Sequence, residues 1–159
     1  MEIEFDVNVT AGDLYDYMLH HTYSSASGLI GAVAGALMIV AYFAGAGIFC
    51  LIGGIIILAY LPITLFLKSK QQFLLNPAFK KPLHYKMTDD GIEVSQGEEV
   101  QSQKWEDMHK AVSTGRSLIV YTTPVNATIF PRRDLGEKAP GVIEIISKHM
   151  PPKKVKIRY

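Results

Sequence analysis

"AYFAGAGIFC", residues 41–50, lies in the middle of a long tract without charge, and its reading decides the fold. From Thr22 to Phe66 the chain contains no Asp, Glu, Lys or Arg. One helix needs about 20 apolar residues to cross roughly 30 Å of hydrocarbon, and this tract is about twice that length. A single straight crossing would leave half of it in water. Two crossings fit if the chain turns near the middle, and Ala44-Gly45-Ala46-Gly47 supply the turn, because glycine reaches backbone angles that other residues avoid. The expectation is a helical hairpin over 23–67, with helices near 25–44 and 48–67. Pro62 falls within the second helix, where a kink is tolerated.

Charge is distributed unevenly around this tract. The preceding segment carries five acids (Glu2, Glu4, Asp6, Asp13, Asp16) and no Lys or Arg, whereas all sixteen Lys and Arg follow it, starting at Lys68. The net charge of +1 therefore hides an acidic beginning and a basic remainder. The basic residues beside the tract (Lys68, Lys70, Lys80, Lys81) place the following segment in the cytoplasm by the positive-inside rule, and an even number of crossings returns the N-terminus to the same side. The expected location is the cell (inner) membrane, multi-pass, with both termini cytoplasmic. The tract begins too late and runs too long for a secretory signal peptide.

Helix contacts are readable in the small residues. Gly28, Gly31 and Gly35 recur on the first helix, and Gly53 and Gly54 lie on the second. Close backbone approach is what favours helix association in lipid. Packing within the hairpin is the first expectation and homo-oligomerisation through the Gly31/Gly35 face the second.

Outside the tract the pattern changes to period two. In "IEFDVNVT", residues 3–10, Ile3, Phe5, Val7 and Val9 share one face, which reads as a strand. Thr10 or Asp13 then caps a short helix through Leu14, Tyr15, Met18 and Leu19. The hairpin returns this 1–22 segment to the side of the downstream domain, where the strand can pair. A basic juxtamembrane linker is expected at 68–82 and a soluble domain at 83–159. In that domain, turns at Asp90-Gly91, Gly97 and Thr114-Gly115 separate short alternating runs that end at Pro131. A helix follows with Val142, Ile145, Ile146 and Met150 on one face, and "KKVKIRY" reads as a final edge strand. The expected fold class is an α+β membrane protein, a two-helix transmembrane hairpin plus a small antiparallel β half-barrel capped by a C-terminal helix.

Several stretches together, "LHYKMTDDGIEV", "QKWEDMHKAV" and "ATIFPRRDL" with the acidic first strand and the glycine-rich hairpin, resemble the YcxB-like family of bacterial membrane proteins. The resemblance spans essentially the whole chain and centres on Trp105-Glu106-Asp107 and Ile129-Phe130-Pro131-Arg132-Arg133. It implies two membrane helices, a cytoplasmic domain similar to bacterial PH domains and no established activity, and it supplies no catalytic residues.

The residues themselves point away from catalysis. No GxSxG, HExxH or phosphate loop occurs, and the single Cys50 excludes a Cys/His metal site. No cofactor and no metal are expected. His20 and His21 are adjacent, so on a helix they cannot hold one ion on one face. Trp105 is expected to anchor the core, where its ring buries a large apolar area. Lys68, Lys70, Lys80, Lys81, Arg132 and Arg133 are the candidate contacts for lipid or partner, since each basic group beside a membrane adds about 1 kcal/mol of attraction to anionic lipid. Nucleic acid is not an expected partner, because ten acids dilute the same region. The expected role is a membrane-anchored, non-enzymatic interaction module that docks anionic lipid headgroups or an unidentified membrane or cytoplasmic protein. The alternative is an oligomeric accessory subunit of a transport or channel-like complex.

Overall fold

The computed structural model describes residues 2–158; Met1 and Tyr159, the outer ends of the expected first and last segments, lie outside the described residues. The chain is α+β, with two long apolar helices and two four-stranded sheets that do not close into a barrel.

Strand β1 (Ile3–Val7) is followed by helix α1 (Ala11–Tyr23). Thr10 and Asp13 act together at the start of α1: the Thr10 hydroxyl accepts from the Asp13 N–H, and the Asp13 carboxylate accepts from the Thr10 N–H. This reciprocal cap satisfies two backbone donors that a helix start otherwise leaves open.

Helix α2 (Ala26–Phe43) and helix α3 (Ile48–Leu75) form the expected antiparallel hairpin. Gly45 and Gly47, with φ of 96° and 85°, make the turn in a region that side chains disfavour. Both helices are long and apolar enough to cross a membrane, and only 11% of the most apolar 18 residues of each is buried. Leu29, Ile30, Leu37, Phe49, Ile56 and Ile63 all face outward. The core helix of a water-soluble protein would bury such residues.

Helix α3 does not stop at residue 67. It continues through Lys68 and Lys70 to Leu75, so most of the expected 68–82 linker is helical. The polar residues that end the apolar tract are good helix formers, and the stop comes at Asn76-Pro77, where proline restricts the residue before it. The extension leads into the folded body, with Phe73 packing against its core.

Strands β2 (Leu83–Met87), β3 (Gly91–Gln96) and β4 (Glu99–Lys104) follow. The first sheet runs β1-β2-β3-β4, all antiparallel, with Phe5 opposite Tyr85. The first strand of the chain thus pairs across the whole hairpin. The second sheet contains β5 (Lys110–Ser113), β6 (Ser117–Tyr121) and β7 (Ala127–Pro131) in antiparallel order, followed by the short α4 (Arg132–Leu135) and then α5 (Ala139–His149). Strand β8 (Val155–Lys156) is indeed an edge strand, but it is only two residues long and pairs parallel to β5. Pro151 and Pro152 turn the chain just ahead of it, which leaves little length for pairing.

One apolar core joins these parts. Phe5, Tyr85 and Phe130 form a ring cluster with centroids 5.0–5.9 Å apart. Helix α5 contributes Val142, Ile145 and Ile146, as its spacing predicts, together with Ile143. Burial pushes the Tyr85 hydroxyl up to about 12.

Candidate functional site: a basic cleft beside the first apolar helix

The six expected basic contacts lie on three parts of the fold: the α3 extension, the segment before β2 and the start of α4. Lys68 and Lys70 are exposed on the α3 extension, with the Lys70 ammonium 4.5 Å from the Phe66 ring centroid. Lys80 and Lys81 are exposed on the segment before β2. Arg133 is partly exposed but reaches the start of α1. Its guanidinium donates to both carboxylate oxygens of Asp13, at 2.9 and 2.8 Å, and to the Asn8 carbonyl. It also pairs with Asp134 at 3.1 Å. The Asp13 side chain is 1% exposed. Burial works to raise its pKa, but hydrogen bonds from Arg133 and Thr10 overcome this and hold the carboxyl below its ordinary value. Arg133 is therefore a clamp between α4 and the start of α1.

Arg132 points elsewhere, into a cleft of about 820 Å³. The second sheet builds this cleft. Lys110 and Val112 share one face of β5, and the parallel register sets Lys156 beside Val112. The tail beyond β8 is tied down by its backbone: the Arg158 N–H donates to Ser113 Oγ at 2.7 Å, and Arg132 Nη2 donates to the Arg158 carbonyl at 2.8 Å. Helix α1 supplies the opposite wall, where His20 and Ser24 line the cleft. A hydrogen bond from Thr114 Oγ1 to Asp16, 2.5 Å long, ties this helix to the β5–β6 turn.

Four basic side chains, Lys110, Arg132, Lys156 and Arg158, thus line one cleft, and among the described residues no carboxylate lines it. None of the four makes an ion pair among the described residues. Some bases elsewhere do meet acids, Lys86 with Glu2 and Glu4 and Lys148 with Asp89; what sets the cleft apart is that four basic groups line one space. Lys110 lies 4.4 Å from the centroid of the Tyr121 ring, a contact that leaves its charge uncompensated. Burial pushes the Tyr121 hydroxyl up to about 12, with a smaller push from Tyr17. His20 is half-buried. Burial, reinforced by Lys110 and His21 and opposed by Asp16, lowers its pKa, which keeps the ring neutral near pH 7.

Sequence reasoning found Arg132 and missed Lys110, Lys156, Arg158 and His20 as members of a site. The only local signal was the alternation of Lys154, Lys156 and Arg158, which places basic groups on one side of an extended segment.

The glycines of the hairpin divide by position. A Cβ at Gly35 would sit 2.8 Å from Leu58 Cγ, and one at Gly54 would sit 2.8 Å from the Gly35 carbonyl, so these two lie where α2 meets α3. Gly53 faces the Met38 side chain, Gly28 faces the Thr22 carbonyl, and Gly31 has open space. Trp105 is 5% exposed, donates its indole N–H to the Thr88 carbonyl at 2.8 Å and stacks on His149. Among the described residues no three His, Cys, Asp or Glu side chains are placed to hold a metal.

These features describe an α+β protein with an apolar helical hairpin and an uncompensated basic cleft beside it. The sequence model of the YcxB-like protein family matches residues 88–146, a little over a third of the chain. The match runs from the β2–β3 turn into α5 and takes in Lys110 and Arg132. No curated protein and no solved structure shows significant similarity to the chain.

Proposed function

We propose that this protein is a membrane-anchored, non-enzymatic interaction module that holds anionic lipid headgroups at the inner face of a bacterial cell membrane. Helices α2 and α3 cross the bilayer as a hairpin, and both termini lie in the cytoplasm. The folded part is PH-like, a reading supported by two antiparallel runs of strands followed by α5.

The observation that carries this reading is the position of the basic cleft. Ser24 lines it, and α2 starts two residues later at Ala26. Four cations with no acidic partner among the described residues are thereby held next to the point where the chain enters lipid. Their mutual repulsion is relieved by an anion, and the inner leaflet presents anions at that depth. The accessory-subunit alternative draws less support, because Gly35 and Gly54 are used inside the hairpin.

Two measurements test the proposal on the full chain. Cysteines at Asp6 and Lys153 should be labelled from the same side of the membrane, since β1 pairs with β2 in one folded body; labelling from opposite sides rejects the hairpin. Hydrogen exchange in nanodiscs should slow at residues 110–115 and 155–158 when anionic phosphatidylglycerol is added to phosphatidylcholine. Equal exchange in both lipids rejects headgroup docking.

A further inference from the structure

We infer that the cleft is built for a phosphate monoester, a dianionic terminal phosphate, in preference to the monoanionic phosphodiester of most membrane lipids. The inference rests on the headgroup role proposed above and narrows it by charge and by hydrogen-bond geometry.

Charge comes first. Lys110, Arg132, Lys156 and Arg158 are four basic groups, and His20 adds no charge while its ring is neutral. Asp16 acts on His20 and accepts a hydrogen bond from the Thr114 hydroxyl, so it offsets part of this charge without lining the cleft. A phosphodiester brings one negative charge. A monoester brings about −1.5 to −2 at pH 7, so it neutralises roughly twice as much of this excess.

Geometry points the same way. A monoester presents three terminal oxygens, a diester two. The cleft offers donors from separate elements: Lys110 from β5, Arg132 from the start of α4, and Lys156 and Arg158 from β8 and the tail beyond it. Arg132 commits one nitrogen to the Arg158 carbonyl and keeps its remaining N–H groups. Guanidinium forks bind phosphate oxygens in pairs. Three oxygens can accept from more of these donors at once than two can, and charge-assisted bonds to phosphate are the strong ones. The volume, about 820 Å³, exceeds a bare phosphate and leaves room for the glycerol that carries it, against Val112.

The same chemistry could arrive on a lipid, as phosphatidic acid, or on a soluble phosphomonoester, and one experiment separates them. Full-length protein in detergent micelles is titrated calorimetrically with short-chain phosphatidic acid and with phosphatidylglycerol of equal chain length. Glycerol 3-phosphate is then added as competitor. Phosphatidic acid should bind at least fivefold more tightly than phosphatidylglycerol. Lys156→Gln and Arg158→Gln should each weaken phosphatidic acid about tenfold, and Lys104→Gln, on β4, should not. Equal affinity for the two lipids overturns the monoester inference and leaves headgroup docking standing. Absence of binding by either lipid overturns both. Displacement by equimolar glycerol 3-phosphate upholds the monoester and assigns it to a soluble source, whereas no displacement upholds it with the lipid as source.

Discussion

Replacing Asp13 by Asn should loosen the folded body by about 2 kcal/mol, a figure that follows from four donors meeting one carboxylate. Oδ2 accepts from the Thr10 N–H, the Thr10 hydroxyl and Arg133 Nη2, at 2.7–2.8 Å, and Oδ1 accepts from Arg133 Nη1 at 2.9 Å. An asparagine can place its one oxygen at Oδ2 and keep those three donors. Its NH2 then faces Arg133 Nη1, donor against donor, and the charge is gone. A hydrogen bond to a charged group contributes about 1.5–3 kcal/mol. The upper part of that range is discounted, because the Arg133 side chain is 45% exposed and water can re-solvate it. The assay is urea unfolding in detergent micelles followed by the fluorescence of Trp105, the single tryptophan, which lies within the core. With a slope of about 2 kcal/mol/M, the midpoint should fall by about 1 M at pH 7. The pH dependence supplies a second check. The Asp13 pKa is lowered in the folded state, so its contribution is present above the ordinary 3.8 and is lost as pH falls through the folded value. The gap between wild type and variant should therefore close in strong acid. A midpoint shift below about 0.2 M at pH 7 would refute the reasoning, as would a gap that persists unchanged in acid.

Two further outcomes follow from close backbone approaches. Gly54→Ala should push α2 and α3 apart, since its Cβ would meet the Gly35 carbonyl and Ile39 Cγ1, each at 2.8 Å; thermal unfolding in micelles should drop by several degrees, and Gly31→Ala, which meets nothing within 4 Å, should leave it unchanged. Gly91→Ala should open the β3–β4 pairing, because the new methyl collides with the Gln103 carbonyl on the facing strand. Overpacking of this kind costs about 1–3 kcal/mol, and faster amide exchange across residues 92–103 with little change at 117–121 is the expected reading.

What the sequence made legible was whatever depends on local period and length. The alternation of Ile3, Phe5 and Val7 marked a strand, and an uncharged tract of twice the bilayer span with small residues at its centre marked a hairpin. The extension of α3 to Leu75 was hidden because hydropathy ends at Lys68 while helix propensity does not. The parallel pairing of β8 was hidden because it depends on how α5 and two prolines return the chain to β5. Arg132 and Arg133 show the limit most sharply. They are adjacent and identical in the sequence, yet one reaches the Arg158 carbonyl in the cleft and the other clamps Asp13. Both sit at the start of α4, where successive residues leave a helix about 100° apart. The cleft itself draws on residues 20, 110, 132, 156 and 158, and no spacing rule joins positions that sheet order alone brings together.

The connection between hairpin and folded body gives the cleft its mechanical consequence. Helix α3 is one continuous helix from the apolar hairpin to Phe73 in the core, so the hairpin cannot swing on a loose linker. Helix α1 packs on the same rod, with Tyr15 edge-on to Phe66 at 5.6 Å, and Arg133 fastens α1 to α4 while Thr114 fastens it to the β5–β6 turn. His20 and Ser24 on α1 form one wall of the cleft, and β5 with the tail after β8 forms the other. The tail is the shorter wall, held by the two paired residues of β8, by Ser113, by the Arg132 bond to the Arg158 carbonyl and by the packing of Val155 and Ile157. An anion bridging Lys110 to Lys156 and Arg158 therefore stiffens the tail against a body already fixed to the hairpin. Binding in the cleft should order residues 155–158 without moving α2 relative to α3, which is the distribution of exchange protection that the nanodisc measurement reads.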